Sequence, residues 1–169
     1  MPVNYNISWV NGFLYGKGGF NVIKLTDKLL SEGFLEVIHP DVVILQVGGN
    51  DIDSRDFNLN TFMNNFERLL KVLLDRGVLQ IIVVKLFHRL VCRTSPVLYM
   101  ARRSQVNLAI SQLITRSYKL SVIFWNPKRT CQIYCLSGDG IHLQKSKQKS
   151  YYYDLKRAAL YALRRISDY

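Results

Sequence analysis

Three short β-branched runs, separated by stretches of helical periodicity, limit what this chain can fold into more than any other feature. Residues 41–47 (Asp-Val-Val-Ile-Leu-Gln-Val), 79–87 (Leu-Gln-Ile-Ile-Val-Val-Lys-Leu-Phe) and 120–125 (Leu-Ser-Val-Ile-Phe-Trp) have strand length and are apolar on both faces. Such strands need cover on both sides, which parallel sheets wrapped by helices provide. After the first run, Phe62, Phe66, Leu69, Leu70 and Leu73 recur at helical spacing, with Asn60 or Thr61 as the expected cap and Gly77 as the stop. Val106, Ile110, Leu113 and Ile114 mark a second helix. Leu155, Ala159, Ala162, Leu163 and Ile166 mark a third, expected to start near Tyr152. Upstream, residues 7–16 hold one candidate strand and 18–40 a helix that Pro40 closes. Alternating strand and helix predict parallel βαβ units in one α/β domain spanning 1–169, a three-layer αβα sandwich. Ligands of such sheets bind beyond the carboxyl ends of the strands. That rim receives Gly48-Gly49-Asn50-Asp51 and the loops after Phe87 and Trp125.

Composition narrows the partners. The 169 residues suffice for a sizeable core, and their formal charge is +11. Such a field favours anionic partners, nucleic acid or an acidic surface. The basic residues gather late: Lys145, Lys147, Lys149, Lys156, Arg157, Arg164 and Arg165, a pattern that a solvated helix face also explains. No apolar run reaches the roughly 18 residues of a bilayer span, and the N-terminus does not read as a signal peptide. Cys92, Cys131 and Cys135 make no even disulfide framework and have no zinc spacing. The expectation is reduced thiols in an intracellular protein, cytoplasmic or nuclear, with no cofactor and no metal.

Two motifs can carry chemistry at the rim. In Gly48-Gly49-Asn50-Asp51, glycine permits positive φ and close approach of backbone to a ligand, and an asparagine amide at a strand's end can donate to a developing oxyanion. A plain turn residue is the competing reading of Asn50. In Gly138-Asp139-Gly140-Ile141-His142, an aspartate near a histidine can fix the imidazole tautomer and leave the other nitrogen as a general base. A surface loop explains that spacing as well.

In this order on a βα pattern, the two motifs resemble the SGNH (GDSL-type) hydrolase superfamily over roughly residues 12–166. Gly48, Asn50 and Asp51 match its G-x-N-D turn, and Asp139 and His142 match its D-x-x-H. The stretch from Pro40 to Ile52 looks most like SGNH-type domains of animal mobile elements. The resemblance implies a flavodoxin-like fold and hydrolysis of a small acyl ester. It assigns His142 and Asp139 to the catalytic pair, Asn50 and Gly19 (rather than Gly18) to the oxyanion hole, and Gly48 and Asp51 to its support.

The family's nucleophile, in a Gly-Asp-Ser turn after its first strand, has no match before Gly19. Ser8 is the only upstream serine, and ten residues separate it from Gly19. A parallel crossover needs about a dozen or more, so Ser8 is a poor candidate. The reading is a chain that starts at or just before the family's second strand, truncated ahead of the nucleophile. The N-terminal residues rebuild the lost position, a partner supplies it, or the chain is a fragment. The resulting expectation is a weakly active or inactive domain, a pseudoenzyme. The rival is a non-catalytic SGNH-like module that binds nucleic acid or an acidic partner through its basic C-terminal region.

The remaining candidates read as structural. Ser54 and Ser137 are expected to bond locally, Ser31 and His39 to end helices, and Tyr151-Tyr152-Tyr153 to pack at a helix start. Asp51, Asp53 and Asp56 lack a further ligand at metal spacing. His88 follows a strand end and can face the cleft. Arg89 or Arg93 can meet an anionic substrate, with a solvated loop the preferred reading of both.

Overall fold

Alternation of side chains along each strand decides how the layers assemble. In the structure, a computed structural model that describes residues 18–128 and 132–167, three parallel strands run β1 (Val42–Leu45), β2 (Gln80–Val84) and β3 (Val122–Trp125), in that order across the sheet. Val42 pairs with Gln80, and Ile81 with Val122, so the strands start level. On one face Val43, Leu45, Ile81, Val83, Val122 and Phe124 join the larger core. On the other, Val42, Ile44, Ile82, Ile123 and Trp125 pack against Ala158 and Ala162. Period-two alternation thus supplies two apolar faces, and helices cover both.

The larger core is closed by α1 (Val22–Ser31), α2 (Phe34–Ile38), the single turn α3 (Gly49–Ile52), α4 (Leu59–Asp75) and α5 (Pro96–Leu113). The predicted stripe of α4 is all buried: Phe62, Phe66, Leu69, Leu70 and Leu73. Its cap is Asn58, whose side chain accepts from the Thr61 amide, not Asn60 or Thr61. Gly77 follows α4 at φ 86°, the left-handed stop expected of it. Upstream, the single helix expected before Pro40 is two, because Gly33 turns left-handed between α1 and α2. α5 continues through a π-helical turn, Ile114–Tyr118.

The opposite face is covered by α6 (Lys145–Ser167), which begins about two turns before the predicted Tyr152. The tyrosine run therefore sits inside the helix and not at its start. Tyr151 is buried, its hydroxyl donating to Gln46 Oε1 at 2.5 Å and its ring edge-on to Phe87. Tyr152 and Tyr153 are exposed. Near the other end, Arg165 donates to the carbonyls of Lys119 and Leu120. α6 is thus pinned both beyond the carboxyl ends of β1 and β2 and beside the entry to β3. Among the described residues, no helix is long and apolar enough to cross a membrane. The candidate strand at 7–16, Ser8 and Cys131 lie outside the described residues.

Candidate active site

The rim above the carboxyl ends of the strands starts with the exit from β1. Gly48 adopts φ 118°, a conformation that side chains rarely allow. A Cβ there would also meet Leu86 and Phe62 at 3.2 and 3.3 Å. At Gly49 the constraint is space, since a Cβ would lie 2.9 Å from the Arg89 guanidinium. The paired glycines thus let the chain turn into α3 with Arg89 lying against it, and Asn50 follows at once.

Asn50 is held at both ends of its amide. Arg89 Nη2 donates to Asn50 Oδ1 at 3.1 Å, and Asn50 Nδ2 donates to the Phe20 carbonyl at 2.7 Å. The second contact brings the segment of Gly19, at φ 81°, against Asn50. One hydrogen of Nδ2 is used there and the amide carries two. Asp51 turns the other way. Both of its carboxylate oxygens accept from the Val22 amide at 3.2 Å, at the first turn of α1. Burial raises the Asp51 carboxyl above its ordinary value, against the opposing pull of the Val22 amide. Asp51 therefore joins two segments, whereas the sequence points only to support of its own turn.

Arg89 is the residue that sequence reasoning misjudged. Its side chain is only 18% exposed, so it is no solvated loop cation. One arm holds Asn50, the other lies 3.5 Å from Asp53 Oδ2, and the guanidinium carbon stands 5.6 Å from the Tyr99 ring centroid. Asp53 is buried and also accepts from the amides of Arg93 and Thr94 and from the Thr94 hydroxyl. Tyr99 donates to the Phe87 carbonyl, and burial pushes its hydroxyl up to about 12. Arg93 enters this network by its backbone. The legible signal was the second glycine of the pair, which marks a bulky neighbour.

α5 also grips the exit from β2. Asn107 Oδ1 accepts from the Leu86 amide at 2.9 Å, and Arg103 Nε donates to the Leu86 carbonyl at 2.6 Å. Both residues are buried, one turn apart on the same helix face as Tyr99, Val106 and Ile110. Two polar residues on an otherwise apolar stripe are the sequence sign of such a grip, because buried polar groups find partners.

The loop of Asp139 and His142 is folded on itself. The Ser137 amide donates to the His142 carbonyl at 2.7 Å, beside an antiparallel bridge of Leu136 and Leu143. Asp139 Oδ1 accepts from the Ser137 hydroxyl at 2.6 Å and from the amides of Ile141 and His142 at 2.9 Å each. Its Oδ2 lies 2.6 Å from His142 Nδ1. The Ser137 hydroxyl, the amides and the imidazole hold the Asp139 carboxyl far below the usual carboxylate range. The imidazole itself is 77% exposed, and among the described residues its Nε2 makes no hydrogen bond.

One contact fastens this loop to the other half of the rim. The Leu90 amide donates to the Gly140 carbonyl at 2.7 Å. Gly140 sits at φ 67°, where an added Cβ would lie 3.0 Å from both Leu90 Cβ and Val91 Cγ2. Leu90 follows Arg89, which bonds Asn50. A continuous path of direct contacts therefore runs from Asn50 through Arg89 and Leu90 to Gly140, two residues before His142. Contacts of Phe20, Arg89 and Leu90 thus link the segment of Asn50 to that of Gly19 on one side and to the loop of Asp139 and His142 on the other. Among the described residues no group of three His, Cys, Asp or Glu side chains is placed to hold a metal ion.

Similar architecture occurs in solved enzymes. An acetyl esterase serine-to-alanine mutant with an acetate ion is 16% identical and superposes with a TM-score of 0.72, over 89% of this chain and 72% of that one. A carbohydrate esterase family 3 structure from Talaromyces cellulolyticus is 17% identical, with a TM-score of 0.71 over 88% and 70% of the two chains. An acylhydrolase structure from Bacteroides fragilis, assigned as such provisionally, is 13% identical, with a TM-score of 0.66 over 85% and 72%. No family model and no curated protein sequence matches the chain.

The Asp139 contacts set a pH dependence. A carboxyl whose folded-state value is depressed stabilises the loop above the ordinary aspartate range, and that contribution is lost as pH falls toward the folded-state value. In a carbon-detected NMR titration, Asp139 is expected to protonate well below an ordinary aspartate. Ser137→Ala, which removes the largest contributor, should move it upward; an ordinary midpoint in the parent chain contradicts the loop geometry. The chain has an α/β fold, a parallel sheet with helices on both faces, that it shares with these esterase and acylhydrolase structures.

Proposed function

We propose that this rim is an acyl-ester hydrolase site of SGNH type. The 2.6 Å Asp139–His142 pair, fastened through Gly140 and Leu90 to the loop whose Arg89 holds Asn50, is the observation that carries the reading. With the Nδ1 proton given to Asp139, Nε2 of His142 is the proton acceptor. Asn50, its Oδ1 occupied by Arg89, presents Nδ2 as an oxyanion donor, and the Gly19 amide is assigned to the same hole. A small ester is the substrate class, and the esterase and acylhydrolase neighbours favour it.

No serine supplies the nucleophile among the described residues, and the Ser137 hydroxyl is spent on Asp139. Ser8 lies outside them. The proposed turnover is therefore slow, with His142 activating a water in place of an acyl-enzyme step. Hydrolysis of a short-chain chromogenic ester should be weak and should fall to background in His142→Ala. Asn50→Ala should lower it by about 10²–10³-fold, the usual effect of losing one oxyanion donor. A rate unchanged by both substitutions rejects the site.

A second reading rests on the outer face of α6. Lys149, Tyr153, Lys156 and Arg164 lie exposed along it, and the aromatic ring among the cations suits a polyanion. In this reading the domain is a binding module for nucleic acid or an acidic partner. Binding of a single-stranded oligonucleotide that weakens steeply between 50 and 200 mM salt, as counterion release requires, and that is lost in Lys149→Gln/Lys156→Gln supports it. Salt-insensitive or absent binding removes it.

A further inference from the structure

Large apolar side chains stand exposed on the two loops that meet at Gly140. Leu90 and Val91, beyond the end of β2, are 48% and 56% exposed. Ile133 and Tyr134, in the single 3-10 turn Ile133–Cys135, are 46% and 68% exposed. Backbone contacts join the pieces. The Leu90 amide donates to the Gly140 carbonyl at 2.7 Å, and the Gln144 amide donates to the Cys135 carbonyl at 2.8 Å. Gln144 Nε2 also donates to the Tyr134 carbonyl at 2.9 Å. Apolar residues scattered singly over a surface need no explanation, but a group on joined segments marks a contact surface, because water is a poor neighbour for all of them at once.

Cations border the group. α6 begins directly after the second loop with Lys145, which is exposed, and Lys147 Nζ stands 6.0 Å from the Tyr134 ring centroid. The carboxylate of this loop, Asp139, shares its charge with the Ser137 hydroxyl, two amides and the His142 imidazole. Aliphatic side chains, a tyrosine and lysines side by side suit a lipid interface. Aliphatic groups enter the boundary of the acyl chains, a tyrosine ring sits at headgroup level, and lysines lay their stems on apolar surface while the ammonium meets anionic headgroups. We infer that this rim docks on an anionic lipid surface, with Val91, Ile133 and Tyr134 at the acyl boundary and Lys145 and Lys147 on the headgroups. A second copy is a poor occupant, since each chain carries a formal charge of +11 and both rims would present lysines. The docking involves no turnover and stands whether or not the rim hydrolyses an ester.

Sedimentation of the full chain with sucrose-loaded vesicles tests it. Phosphatidylcholine vesicles with roughly one-quarter phosphatidylserine should bind the chain at least about tenfold more tightly than phosphatidylcholine alone. Val91→Ser/Tyr134→Ser should weaken that binding by about tenfold or more, and Lys145→Gln/Lys147→Gln by a similar factor, with folded amide NMR spectra for both. Lys156→Gln/Arg164→Gln, which removes as much charge farther along α6, should leave it unchanged. Tyr134→Trp keeps an interfacial ring; its fluorescence should add a component that brominated acyl chains quench, beyond the quenching of the parent chain. Absent binding, equal binding to neutral and anionic vesicles, equal loss in Lys156→Gln/Arg164→Gln, or no added quenching overturns the docking. Dimerisation that rises with concentration and is abolished by Val91→Ser/Tyr134→Ser, without vesicle binding, assigns the patch to a second copy instead.

Discussion

The guanidinium of Arg89 is the constraint on which the rim depends. It leaves the end of β2, lies across the exit of β1, and bonds Asn50 with one arm while the other faces the buried Asp53. Tyr99 of α5 supports it from beneath. Removing one partner of a largely buried charge pair strands the other, a loss on the order of 3 kcal/mol. The arrangement therefore does more than add stability. It sets the direction of the Asn50 amide, whose Oδ1 accepts from Arg89 while its Nδ2 donates to the Phe20 carbonyl. Gly49 is part of the same device, since a side chain at that position would displace the guanidinium.

From Arg89 the order passes by backbone alone. Leu90 reaches Gly140, and Gly140 belongs to a loop that Asp139 knits together through a hydroxyl, two amides and an imidazole. An exposed histidine could sample many rotamers, yet its partner carboxylate is held by three other donors and cannot follow it. The loop leads into α6, whose Tyr151 packs on Phe87 and bonds Gln46. The exits of β1 and β2 are thereby coupled through a side chain of α6. Fold and site share these contacts, so a change to the rim is also a change to how the layers are joined.

The sequence made the layers legible because buried parallel strands are written in β-branched runs and helices in periodic apolar stripes. The strand ends were less legible. Val47 extends the apolar run past Gln46, but pairing stops at Leu45 as the chain approaches left-handed Gly48. The first two turns of α6 escaped notice because Lys-Ser-Lys-Gln-Lys-Ser has no apolar period. Its lysines and glutamine are nonetheless good helix formers. The contact of Asp139 with His142 was legible from motif spacing. The role of Arg89 was not, because a cation after a strand reads as solvated unless the fold places an acid and an amide beside it. Asp53 and Asn50 come from thirty-six and thirty-nine residues earlier, a separation that local reading does not bridge.

The central claim is that Asn50 and His142 address one small ligand. Titrating the chain with acetate, while following the side-chain amide of Asn50 and the ring of His142 by NMR, tests it most directly. The account predicts that both signals move along one saturation curve. Two different curves, or movement of only one of the two, would contradict it.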